Sequence, residues 1–227
     1  MTLSTARIDK NTQEGGEVLF NQFNVSYASI RVLSRVRGSY GAVAGIFTYH
    51  NDTQEADIEM LTRSPANYIQ YSDQPTDNPD TGVAVPGASV NLSMPNSWQY
   101  TDWHVHRLDW TPGRTTVFVD DVQLNTSVLN VPAPTPASAI IIDMWSANSS
   151  FSGNMPIGGS AHLDIQWVEL LFNSSTTATI PHGTVCAVGS LDKQAEKKTS
   201  AGSSLYMQVH TIIWSILVAT SLVLYLL

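Results

Sequence analysis

The sequence predicts an all-β domain, a jelly-roll sandwich of two antiparallel sheets followed by a C-terminal hydrophobic tail, and three observations carry that expectation. Short runs rich in β-branched and aromatic residues recur between about residues 15 and 177. Gly, Pro, Asn, Asp and Ser punctuate them, and no stretch sustains a helical period. In chain order the strand candidates are VLFNQFNVSYASIRVLSRV, AVAGIFTYH, ADIEMLTR, YIQYSD, WHVHRLDWT, TTVFVDDVQ, AIIIDMWS and LDIQWVELLF. Pro112 and Gly113 supply a turn between two of them, and VDDVQ reads as the next hairpin turn. Many short strands at this spacing bury their apolar faces most economically as two packed sheets.

The domain is expected to span residues 1–177, with 178–204 as a Ser/Thr/Lys linker and 205–227 as the tail. Of 227 residues 43% are hydrophobic, enough for one core, and the formal net charge of −8 comes without a basic cluster interleaved with aromatics. Nucleic acid is therefore not an expected partner. Sequons at Asn24, Asn51, Asn91, Asn125, Asn148 and Asn173 point to the secretory pathway. The single cysteine, Cys186, is either a buried thiol or half of a disulfide whose partner is absent.

TIIWSILVATSLVLYLL, ending flush with the C-terminus, is short for the ~30 Å hydrocarbon layer as a helix and carries no basic residues after it. With small residues upstream in TSAGSS it follows the grammar of a glycosylphosphatidylinositol signal, with Ser200, Ala201 and Gly202 as attachment points and a retained membrane anchor as the alternative. MTLSTARIDKNTQEGG, by contrast, lacks the apolar core of a secretory signal. The expectation is an N-terminally truncated chain, missing its entry signal and first strands, with an unpaired sheet edge.

The sharpest local feature is QEADIEML, residues 54–61. On a strand Glu55, Asp57 and Glu59 share one face while Ala56, Ile58 and Met60 enter the core. Three neighbouring carboxylates repel, which raises at least one pKa and supplies the protonated acid that glycosidic cleavage needs. A retaining mechanism wants two carboxyls about 5 to 5.5 Å apart. Glu55 and Glu59, with alpha carbons roughly 13 Å apart, must lean together. A wet strand face with no chemistry is the simpler alternative.

EADIE resembles the E-x-D-x-E signature of glycoside hydrolase family 16, the concanavalin A-like lectin/glucanase fold. GAVAGIFTYHNDTQEADIEML is similar to the strand and loop entering that motif in fungal, often wall-anchored, members. TDWHVHRLDWTPGRTTVFVDDVQ and DMWSANSSFSG are similar to later segments of the family, and together these cover about residues 40 to 172. The resemblance implies Glu55 as nucleophile, Asp57 as its assisting carboxylate, Glu59 as general acid/base and Trp145 as a platform for a sugar ring.

His104 and His106 share a strand face, either reaching the cleft near Glu59 or packing structurally, and no third ligand accompanies them for a metal. Trp103 and Trp110 divide between core and cleft, whereas Trp98 and Trp167 read as packing; Tyr71 and Gln70 are candidates to face sugar. Departures are Asp143, where many members have Asn, Phe151, where a second Trp is frequent, and Ser72 in place of a common Asn. The implied activity is cleavage of β-1,3 or mixed β-1,3/1,4-glucan by a monomer without cofactor at the cell surface. Water and a sugar hydroxyl both remain open as acceptors. A carbohydrate-binding wall protein on the same fold, and an intracellular protein with no sugar role, are the alternatives.

Overall fold

The computed structural model describes residues 1–124, 129–174, 182–187, 196–203 and 207–215. One sheet runs in the order β10 (Val122–Gln123), β9 (Arg114–Val119), β8 (His104–Thr111), β3 (Val25–Gly38), β12 (Ser160–Ser174) and β1 (Thr2–Arg7). The other runs β15 (Met207–Ser215), β2 (Thr12–Phe20), β11 (Ala139–Trp145), β4 (Val43–Asn51), β5 (Gln54–Leu61), β6 (Tyr68–Asp73) and β7 (Ser89–Ser93). All pairings are antiparallel, and the sheets join where Ala6 and Arg7 pair with Glu14 and Gln13. The expected all-β jelly roll is what forms.

Strand parity sorts the side chains. Ile30, Val32, Val36, Leu108, Trp110, Val117, Val119, Leu163 and Ile165 of the first sheet meet Val18, Phe20, Ile46, Ile58, Met60, Ile69, Ile140, Ile142 and Met144 of the second in one buried cluster. Their removal from water is the main favourable term holding the sheets together. Gly113, at φ 71°, turns β8 into β9. Asp120 and Asp121, at φ 44° and 64°, make the left-handed pair of the β9–β10 hairpin, so both turns expected from sequence are present.

The differences have physical reasons. β1 was not an expected strand, because only Leu3 and Thr5 are apolar enough or buried enough to show its alternation. It lies between β12 and β2, and the Met1 ammonium donates to the Ile165 carbonyl at 2.9 Å. The open edge expected on the sheet is covered as well. Met207–Ser215 is extended rather than helical and pairs with β2 along its whole length, satisfying backbone groups that β2 would otherwise leave open. Within the expected linker, β13 (His182–Ala187) and β14 (Glu196–Ser203) form a separate two-stranded sheet; it includes Cys186 and the attachment candidates Ser200, Ala201 and Gly202. No described helix is long and apolar enough to cross a membrane. The rest of the apolar tail, residues 216–227, lies outside the described residues.

A polar cluster is built into the core beside β6. Asp73, 2% exposed, accepts hydrogen bonds from the Thr115 hydroxyl at 2.7 and 2.9 Å, and that hydroxyl also meets the Tyr71 hydroxyl. Burial pushes the Asp73 carboxyl up from 3.8 to about 7, against the opposing pull of Thr115. A carboxyl raised in this way contributes stability that is full below its unfolded pKa and is lost as pH rises through its folded pKa. Urea unfolding midpoints measured from pH 4 to pH 8 are therefore expected to fall with pH, and Asp73→Asn is expected to flatten that fall; an unchanged slope would show that Asp73 titrates normally.

Candidate active site

Strand β5 lies between β4 and β6, so its outward side chains have neighbours on both sides. Ala56, Ile58 and Met60 are fully buried in the core, which turns Glu55, Asp57 and Glu59 to the opposite face of the sheet. Even there Asp57 is only 4% exposed, while Glu55 and Glu59 are half-buried. Asp57 and Glu55 are hydrogen-bonded to each other. Gln74 donates to Asp57 Oδ2 at 3.4 Å, and Gln70, paired with Glu59 across β5 and β6, donates to Glu59 Oε2 at 3.2 Å.

The electrostatics follow from crowding. Burial pushes Asp57 well above the usual carboxylate range, and Glu55 and Glu59 on either side push it further. Glu59 is raised to about 8 by burial and by Glu55, with Gln70 and Arg63 pulling the other way. Burial raises Glu55 as well, but its hydrogen bond with Asp57 favours the charged form. Near neutral pH the strand thus carries a protonated carboxyl at Glu59 and, four residues away, one whose ionised state accepts a hydrogen bond from Asp57. The three titrate as a coupled set rather than as independent acids.

Two of the expected sugar contacts share this face. Trp145, two residues beyond Asp143 on β11, is half-buried and stacks on Phe151 at 6.1 Å and 9°. Arg63 caps the pair, 5.9 Å from the Phe151 ring. Gln70 is the other, through its bond to Glu59.

The remaining sugar contacts are corrected. Tyr71 has the parity of Ile69 and is 1% exposed in the core, its hydroxyl beside Thr115. Trp110 is equally buried and donates from Nε1 to the Pro134 carbonyl at 2.7 Å. His104 and His106 alternate with Leu108 and Trp110 on the core-facing side of the other sheet, so neither reaches the carboxylates. His104 Nδ1 lies 2.7 Å from Asp120 Oδ2, and its ring packs against Trp98. Complete burial holds His106 down at about 4, hence neutral. Trp103 lies under the Arg35 guanidinium, 4.8 Å from its ring, on the first sheet.

Of the sequons, Asn51, Asn91 and Asn173 are exposed and Asn24 is half-buried. Asn148 is half-buried, and its Oδ1 accepts from Arg7 at 3.1 Å. Asn125 lies outside the described residues. Among the described residues no group of three or more His, Cys, Asp or Glu is arranged to hold a metal ion. Sequence reasoning missed Gln74 and Arg63, whose roles depend on loop paths, and Glu17, which faces Asp143 across the β2–β11 pairing.

The structure is a jelly roll with a run of interacting carboxyls and a stacked aromatic pair on the outward face of one sheet. The chain belongs to glycosyl hydrolases family 16, whose model matches residues 2–169. Its fold is similar to that of a prokaryotic β-1,3-1,4-glucanase (lichenase) from a mouse hindgut metagenome, at 14% identity and TM-score 0.54, covering 74% of this chain and 77% of that one. It is similar also to a Bacillus licheniformis β-glucanase, at 18% identity and TM-score 0.55 over 74% and 76% of the two chains. A Crh5 transglycosylase in complex with NAG superposes at TM-score 0.60 with 14% identity over 78% of this chain and 74% of that one. No curated protein matches the sequence.

Direct titration checks the electrostatic account. In protein carrying carboxyl-labelled glutamate, one resonance is expected to titrate near pH 8 and to be lost in Glu59→Gln. Glutamate carboxyls that all titrate below pH 5 would contradict it.

Proposed function

We propose that this domain is a retaining endo-β-glucanase or glucan transglycosylase acting on β-1,3 or mixed β-1,3/1,4-glucan of a cell wall. The observation that carries the reading is the division of labour on β5: Glu55 paired with Asp57, and Glu59 held protonated to about pH 8 beside Gln70. Glu59 gives its proton to the glycosidic oxygen as the bond to the anomeric carbon breaks, and the Glu55 carboxylate attacks that carbon from the opposite face. A covalent glycosyl-enzyme results, and the leaving sugar departs with the proton. Glu59, now ionised, takes a proton from the incoming hydroxyl, which attacks the same carbon and frees Glu55 with net retention. Water as the incoming group gives hydrolysis and a sugar hydroxyl gives transfer.

Asp57 stabilises the attacking form of Glu55 by hydrogen bonding, and the Trp145 ring offers an apolar plane to the C–H face of a pyranose. Family membership and a neighbour that is a transglycosylase support both outcomes of the second step. We read the protein as a secreted member of the fungal wall-anchored type. Its glycans would be carried on exposed Asn51, Asn91 and Asn173, and Ser200, Ala201 or Gly202 would be the site of a glycosylphosphatidylinositol anchor.

The test is incubation of the secreted domain with β-1,3-glucan and a fluorescent oligosaccharide acceptor, with Glu55→Gln in parallel. New reducing ends or elongated label that fall by at least about a thousandfold in the variant are expected. Glucan binding without turnover in the wild-type protein would replace this reading with a carbohydrate-binding one. Treatment of the secreted protein with an N-glycosidase is expected to lower its mass in steps matching occupied sequons, and no change would remove the secretory reading.

A further inference from the structure

Trp145 is held by strand β11, but Phe151, its partner in the aromatic pair, comes from the loop that joins β11 to β12. Nothing in the sheet ladder fixes a loop ring, so its placement has to come from other bonds. The turn around Phe151 is closed on itself: the Gly153 N–H donates to the Ser149 carbonyl at 2.9 Å, the Ser152 N–H donates to Ser149 Oγ at 3.0 Å, and the two serine hydroxyls lie 3.1 Å apart. Gly153, at φ 84°, lets the Tyr40 ring lie against the turn, where a Cβ would come within 2.7 Å of that ring. These contacts give the turn its shape and back one side of it.

Its attachment to the sandwich comes from β1. Arg7 Nη1 donates to Asn148 Oδ1 at 3.1 Å, before Phe151, and to the Met155 carbonyl at 2.7 Å, after it. Arg7 Nε donates to the Asp9 carbonyl at 3.1 Å, which holds the guanidinium in place. The Arg7 backbone donates to the Gly159 carbonyl at 3.0 Å and accepts from the Gly158 N–H at 2.8 Å. Thr5, also on β1, bonds to Ser146 at 2.8 Å where the loop begins.

We propose that Arg7 is a positioning residue for sugar binding: its guanidinium clips together the two flanks of the loop and so fixes the Phe151 ring parallel to Trp145. The inference rests on the reading of this face as a glucan site with Trp145 as its platform. One Nη amino group carries two N–H bonds, one for each acceptor, so a single side chain closes the base of the loop. Both acceptors are neutral oxygens and a guanidinium stays charged, so the clip does not titrate with the carboxylates of β5. Its loss loosens the platform without touching the groups that break the bond.

The test compares wild type with Arg7→Met and the milder Arg7→Lys, each carrying fluorine-labelled phenylalanine, with the Phe151 signal identified by its loss in Phe151→Leu. In the free protein Arg7→Met is expected to shift and broaden that signal while the other phenylalanine signals stay in place, and Arg7→Lys to act in the same direction by less. On β-glucan KM is expected to rise about tenfold in Arg7→Met with kcat and the pH limits of kcat/KM little changed, because the lost stacking serves ground state and transition state alike. Added to Phe151→Ala, Arg7→Met is expected to raise KM no further. A folded Arg7 variant with an unmoved Phe151 signal overturns the proposal, as does a KM rise that persists undiminished in the Phe151→Ala background. If Arg7→Met does not fold, Arg7→Lys answers both questions. The fluorine signal needs no substrate, so it reads the clip separately from whether β-glucan is turned over.

Discussion

Strand β5 has to satisfy two environments at once, and the rest of the structure depends on that. Ala56, Ile58 and Met60 on one side are fully buried between the sheets, while Glu55, Asp57 and Glu59 on the other are brought together by the same two-residue period. Left in a flexible chain, three carboxylates would separate and ionise. On this strand they cannot separate without drawing apolar side chains out of the core, where each is worth about 1.5 to 3 kcal/mol of burial for the larger residues. The repulsion is relieved by protons instead, and the apolar face of β5 thereby sets the protonation of its acidic face.

Neighbouring strands refine what β5 begins. Gln70 and Gln74 donate to Glu59 and Asp57 as neutral groups, orienting each carboxyl without supplying the positive charge that would drive its proton off. Gly45 leaves room beside Glu59, and the open space is occupied by an acid from β11 and by the Phe47 ring. Aromatic surface comes from the end of β11 and the segment after it, through Trp145 and Phe151. The polar groups of the core are kept apart from this face: Asp73, Thr115 and Tyr71 bond among themselves, and His106 is buried without charge. The sandwich thus contains two sets of titratable groups separated by one sheet.

Much of this was legible in the sequence, because the strand period is short and local. Alternation in EADIE and the Gly, Pro and Asp-Asp turn signals lead directly to the acidic face, the two sheets and the β8–β9–β10 hairpins. Parity should have placed the histidines too: residues 104, 106, 108 and 110 alternate as His, His, Leu and Trp, and the buried Leu108 and Trp110 carry the two imidazoles into the core with them. Tyr71 follows Ile69 inward by the same rule, leaving Gln70 outward. What could not be read locally is register. That Asp143 lies two strands from Glu59 with a glycine between them depends on how β11, β4 and β5 align, which no single segment specifies. The pairing of Met207–Ser215 with β2 is likewise a long-range outcome, in which an open edge competes with the helical tendency of an apolar run.

The central claim is that the strand holds Glu55 ready to attack an anomeric carbon while Glu59 holds the proton. The most direct measurement is to react the folded enzyme with a mechanism-based glucan-oligosaccharide inactivator whose glycosyl ester turns over slowly, then locate the adduct by peptide mass spectrometry. The account requires a single glycosyl ester on Glu55, formed fastest where Glu59 is still protonated. An adduct on Asp57 or Glu59, or an active enzyme that forms products of inverted configuration and no adduct, would contradict it.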